Sequence, residues 1–224
     1  MQMGMEGAAA VAAWLGCLRH LRRLDLSGHR MGNTVCAAVA SSLQGLGILA
    51  ELRLARNILG DQGAEELAKA LKDCGQHLKV LDLNGNKIGA MGGVALGDGL
   101  QHTPMLTELD LNNNAIDVKG MIGLVNGLRM STLATLALFG NTIGDEGCKA
   151  LAKVFLQLCA LKTLNLAMNH IGDVGALSIA LVLPGATALS TLLLNHNYIS
   201  EKGLTAVTKA AASSLHALDV SEQT

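Results

Sequence analysis

Residues 78–89 read LKVLDLNGNKIG, and the pattern L-x-x-L-x-L-x-x-N-x-I/L-G runs through the whole chain. Copies begin at Leu21, Leu49, Leu78, Leu106, Leu133, Leu161 and Leu189, and a truncated copy begins at Leu215, so the period is about 28 residues. Only the first full copy departs at the asparagine, with His29 in its place. In each copy the last two leucines alternate with polar residues at period two, which predicts a short strand with one buried face. Leu81 and Leu83 then point inward, while Val80, Asp82 and Asn84 point out.

The second half of each copy has a different period. In GDQGAEELAKALKDC, from Gly60, the apolar residues Ala64, Leu67, Ala68 and Leu71 fall at helical spacing, and Asp61 stands where an N-cap belongs. Gly60 and Gly63 recur as Gly144 and Gly147, and as Gly172 and Gly175, where a turn needs positive φ or leaves no room for a Cβ. Asp117 and Ser200 at the first position, and Val35 at the second, predict slightly altered turns. One strand and one helix cannot bury their own apolar face, so each unit must stack on the next, and the wider helix layer bends the stack into an arc. The chain reads as a single domain over 1–224, with a partial repeat at 1–20 and a truncated one at 215–224. MGMEG at 3–7 aligns with IGDEG at 143–147, so both ends fall in mid-repeat, as expected of a segment of a longer protein.

These residues resemble the leucine-rich repeat family. The repeat length and the G-D-x-G-A-x-x-L-A-x-x-L half are similar to its ribonuclease-inhibitor-like class. The resemblance spans essentially the whole chain. It implies an α/β solenoid, a right-handed β-α superhelix shaped as a horseshoe arc, with parallel strands on the concave face and helices on the convex face. Asn57, Asn86, Asn114, Asn141, Asn169 and Asn197 share one column, where stacked amides can satisfy backbone groups as a structural ladder.

Composition narrows the function. Half of the residues are apolar but only two Phe, one Tyr and one Trp occur, so Leu, Ala, Ile and Val must fill the core. Net charge is −1, and no basic cluster exceeds Arg19, Arg22 and Arg23 with His20, so neither nucleic acid nor an anionic membrane is an expected partner. No apolar run reaches the length of a membrane helix. The five cysteines form an odd set without C-x-x-C spacing and read as reduced thiols, with Cys36 and Cys148 as small buried hydrophobes. With no N-x-S/T acceptor, this is compatible with a cytoplasmic or nuclear address.

No cofactor, metal site or catalytic centre is expected. There is no G-x-x-x-x-G-K-[ST] loop, no G-x-S-x-G turn and no metal-ligand spacing among the histidines, and an open arc excludes water poorly. Function is therefore sought on outward positions. In the first zone Glu51, Asp82, Glu108 and Asp110 outnumber Arg53 and Lys79, and like charges in adjacent rows would be relieved by a cationic partner, a protein with a basic patch. In the second zone Phe139, Met168 and Leu193 project where other repeats carry Asn, Ser or Asp, with His196 on the rim, which has the composition of an interface anchor. On the convex side Leu177 and Leu181 form an i, i+4 apolar pair where the second repeat has Glu65 and Lys69, a candidate contact with another protein or another domain of a longer chain.

The leading expectation is a non-enzymatic protein-binding scaffold. Similar repeats occur in activators of the Ran GTPase, usually ahead of an acidic tail, whereas this chain ends at SEQT. They also form ligand-sensing or autoinhibitory segments of larger nucleotide-binding immune sensors. Ribonuclease inhibitors, by contrast, are far richer in cysteine and in acidic and aromatic contact residues.

Overall fold

The computed structural model describes residues 5–15, 17–128, 132–211 and 215–223, without the side chains of 5, 6, 8, 9, 12 and 33–36. The readings of Cys36, of the turn at Val35 and of the start of MGMEG lie outside the described residues. Eight three-residue strands stand at the repeat spacing: β1 Arg23–Asp25, β2 Glu51–Arg53, β3 Val80–Asp82, β4 Glu108–Asp110, β5 Thr135–Ala137, β6 Thr163–Asn165, β7 Thr191–Leu193 and β8 Ala217–Asp219. They form one parallel sheet in sequence order. Its register keeps repeat columns together: Leu24, Leu52, Leu81, Leu109, Leu136, Leu164, Leu192 and Leu218 face one another in turn. Seven of these leucines are buried, so the period-two pattern of each strand becomes a continuous apolar spine.

Helices cover the other side of the spine: α1 Met5–Leu15, α2 Asn33–Ser42, α3 Gly60–Cys74, α4 Ala90–Leu100, α5 Val118–Leu128, α6 Gly144–Val154, α7 Asp173–Val182 and α8 Glu201–Ala211. In α3 the residues at helical spacing, Ala64, Leu67, Ala68 and Leu71, are buried. Cys148 takes the place of Ala64 in α6 and is fully buried, and burial pushes its thiol up to about 12. Among the described residues, no helix is long and apolar enough to cross a membrane.

The asparagine column ties successive rows. Asn86 Nδ2 donates to Leu83 O of its own repeat and to Leu54 O of the preceding one, both at 2.9 Å, while its Oδ1 accepts from Asn57 N at 3.0 Å and Leu59 N at 3.3 Å. Asn57, Asn86, Asn169 and Asn197 are fully buried, so each amide closes backbone groups that water cannot reach. At the two ends the column changes residue type. The His29 ring nitrogen Nδ1 lies 3.1 Å from Leu26 O, and Gln223 Nε2 donates to Leu194 O and Val220 O at 3.0 Å each.

The aspartates at the helix starts differ from the sequence expectation. Asp61 does not cap α3; it lies inside the first turn, and its Oδ1 accepts the N–H of Gly89, the N-cap of α4, at 2.6 Å. Asp145 does the same for Gly172, the N-cap of α7, and for Gly175 in its first turn, at 2.7 and 2.9 Å. The reason is that α3 and α6 begin two residues earlier than their capping pattern suggests, at Gly60 and Gly144 with φ 59° and 60°. The carboxylate then faces the orphan N–H groups of the following helix rather than its own. A second inter-repeat staple results. Among the altered turns, Asp117 instead caps within its own repeat, to Gly120 N at 2.9 Å, and the Ser200 hydroxyl donates to Asp173 at 2.6 Å.

Between α4 and α5 the backbones touch. A methyl on Gly97 would fall on the carbonyl of Gly123, and one on Gly127 would fall on the carbonyl of Gly97. Only glycine permits this approach.

Candidate partner-binding face

The residue at the end of five of the eight strands has a structural duty that is invisible in the repeat pattern. Asp25, Asp82, Asp110, Asn165 and Asp219 each accept, through Oδ1, the N–H two residues on, at 2.9 to 3.1 Å. One oxygen of every such side chain is thus committed to closing the turn. Where Ala137 cannot do so, Asn112 reaches across from the neighbouring row and accepts from Phe139 N at 2.6 Å.

The acidic rows are partly neutralised from within. Glu51 lies 2.8 Å from Arg23 and 3.6 Å from Arg53. Asp25, Arg53 and Asp82 face one another in register and, with Ser27, Arg56 and Asn84, line a shallow concavity of about 420 Å³. The backbone N–H of Ser27 holds the Asp25 carboxyl below its usual range, with Arg53 adding to the effect. Asp110, half-buried, goes the other way: burial raises its pKa, and the neighbouring Asp82 and Glu108 carboxylates add to the rise. Glu108 itself is exposed.

The apolar residues come from three columns rather than one. Leu193 ends β7 and is half-buried; Phe139 lies two residues beyond β5; Met168 precedes the ladder asparagine and is 52% exposed. Phe139, Met168 and His196 meet around a concavity of about 330 Å³, which Leu193 does not line. His170 and Tyr198 complete it, with their rings stacked at 5.5 Å between centroids and 19° between planes. The pattern-based reading misses these two because they follow the asparagine, outside the strand columns. The available signal is that the column Ile58, Lys87, Ala115, Thr142 turns to adjacent rings at His170 and Tyr198. His196 Nε2 lies 3.1 Å from Glu222.

The backbone under this concavity repeats a left-handed turn. The residue before the ladder position is left-handed in every row, and Gly28, Gly85, Asn113 and Gly140 suit that conformation. Arg56, Met168, His196 and Glu222 occupy it at φ 49° to 57°, and His170, like Arg30, Ile58 and Lys87 in its column, is left-handed at φ 58°. Asn169, between Met168 and His170, carries a buried side-chain oxygen without a partner among the described residues. Strain and an unpaired polar atom therefore coincide with the only cluster of aromatic and imidazole rings on the described concave face.

On the convex side Leu181 is 83% exposed and Leu177 is half-buried, so the expected pair is unequal. Among the described residues, no group of three or more His, Cys, Asp or Glu could hold a metal ion.

The fold and its face define an open repeat scaffold, and comparison with known proteins places it. The leucine-rich repeat model matches residues 17–39, 76–97, 102–125, 129–152 and 157–180, just over half of the chain, and the chain belongs to that family. Members of this class are typically non-catalytic protein-interaction domains. A curated relative, human protein NLRC5, is 38% identical over 80 residues, which is 36% of this chain and 4% of that protein's length. Two solved structures share the fold. An internalin (inlF) from Listeria monocytogenes has a TM-score of 0.52 and 18% identity over 93% of this chain and 64% of that one. The plant peptide hormone receptor RGFR1, in complex with RGF2, has a TM-score of 0.54 and 20% identity over 92% of this chain and 33% of that one.

Proposed function

We propose that the chain is a non-enzymatic protein-binding module that holds its partner on the concave face. The rings and thioether of Phe139, Met168, His170, His196 and Tyr198 anchor the partner, and Asp82, Glu108 and Asp110 orient it. The observation that carries this reading is the coincidence of exposed apolar groups with left-handed, non-glycine backbone at Met168, His170 and His196. Left-handed residues recur in other rows, as at Arg56, Ile58, Lys87 and Glu222, but only here do they present a thioether and rings around one concavity of the described concave face. A complementary partner surface carries an apolar side chain for the concavity and a basic group facing Asp110, whose buried carboxylate a cation would relieve. A ribonuclease-inhibitor-like repeat type and a cytoplasmic or nuclear setting fit the repeat length and the free cysteines at 74 and 148.

A second reading has the chain as the ligand-sensing or autoinhibitory segment of a larger immune-sensor-like protein. The similarity to NLRC5, confined to 4% of that protein's length, supports it.

The test is capture from cell lysate with wild type beside a Phe139→Ala/Asp110→Ala double variant, followed by titration of the purified partner. The expected result is a native melting profile and an affinity loss of at least about 2 kcal/mol, roughly 30-fold, from Phe139→Ala alone. Equal affinity in the folded variant moves the partner off this face.

A further inference from the structure

The outer face of α7 breaks the pattern of its neighbours. Val174, Leu177 and Leu181 stand at i, i+3 and i+7 on one side of the helix, with Val174 47% and Leu181 83% exposed. The same columns carry Glu146, Lys149 and Lys153 on α6, and Lys202, Thr205 and Lys209 on α8. An apolar stripe is therefore framed by lysines on both flanks. On its α6 side it opens into a groove of about 670 Å³ that crosses α6, where Glu146, Lys149 and Lys153 line it, and reaches Val118, Ile122 and Val125 of α5. The glycine seam draws α5 toward α4, and the groove lies on the opposite flank of α5.

The charges select the occupant. Lys69 and Lys149 are each paired with a glutamate one turn earlier on their own helix. Lys153 and Lys209, the two flanking Leu181, have no carboxylate within ion-pair distance among the described residues. We infer that this convex stripe docks a partner's amphipathic helix whose apolar ridge is edged by acidic residues. An unpaired lysine on each side of an exposed leucine repels a basic helix and attracts an acidic one, while Val174, Leu177 and Leu181 receive the apolar ridge. The stripe is about 10 Å long, which matches roughly two turns of a partner helix. This surface is separate from the concave face and does not depend on its occupancy.

The probes are two fluorescein-labelled helical peptides of about four turns, both with leucines at i, i+4 and i+7, one flanked by glutamates and the other by lysines. The acidic peptide is expected to bind saturably and at least about tenfold more tightly than the basic one, with the preference shrinking in high salt. Leu181→Glu should abolish its binding, and Lys153→Glu with Lys209→Glu should reverse the preference. These exposed positions leave the melting temperature near that of wild type. Equal binding of both peptides, no binding to folded wild type, or binding that survives Leu181→Glu overturns the inference. Sedimentation adds one more outcome: a wild-type dimer dissociated by Leu181→Glu makes the occupant a second copy and also overturns it.

Discussion

The concave rows before β5 and those from β5 onward share one backbone and differ in what they do with their outward residues. In the first set three of four strands end in an aspartate that closes its own turn, Asp25, Asp82 and Asp110, and ion pairs such as Arg23–Glu51 absorb part of the charge. In the second, Asn165 and Asp219 keep that role but Ala137 and Leu193 end their strands without it, and the left-handed turn presents Met168 and His196 where the first set, Arg56 apart, has glycine or asparagine. Polar residues on a repeat surface thus serve the scaffold as well as a partner, so each is a weak sign of function. Residues that the scaffold would rather not have are the stronger sign.

The largest effect tests whether both regions rest on the same frame. Asn86→Ala and Asn197→Ala each orphan buried carbonyl and N–H groups, and each is expected to cost about 3 kcal/mol in urea unfolding. A much smaller loss at one of them would mean that its half of the arc is held by something else. The next effect separates the regions. Arg56→Gly, Met168→Gly and His196→Gly all relieve a left-handed backbone and should gain up to about 1 kcal/mol of stability each, net of glycine's added chain entropy. Only the latter two should weaken partner binding; a loss with Arg56→Gly would erase the contrast. The smallest effect concerns Asp110. Its pKa is raised on folding, so the native state holds its proton more tightly, and stability falls as pH rises above the ordinary value of 3.8 through the raised one. Asp110→Asn keeps the acceptor for Asn112 N–H and should therefore be slightly more stable than wild type near neutral pH. The advantage should vanish in thermal melts below that ordinary value.

The fold was legible because every structural position is written many times. Eight leucines in one column and six asparagines in another leave few alternatives to a parallel stack. Direction of bonding was not legible: periodicity places Asp61 near a helix start but cannot say that its oxygen serves Gly89 in the next repeat. His170 and Tyr198 escaped because a left-handed turn re-aims side chains outside the strand alternation. Gln223 escaped because its extra methylene hides its equivalence to Asn197, although its bonds to Leu194 O and Val220 O are the ladder's own.

The glycine seam between α4 and α5 also acts on the opposite surface. Strands sit at a fixed spacing of about 4.8 Å, so the bend of the arc at any row is set by how far apart the helices behind it are held. Where Gly97 and Gly127 let two helices touch, the helix spacing behind the acidic rows is held small. A bulky residue wedged there would act like a shim behind a hinge. It would tighten the curve and bring Asp82 and Asp110 closer together without altering either, so the shape offered to a partner is written partly in atoms that the partner never meets.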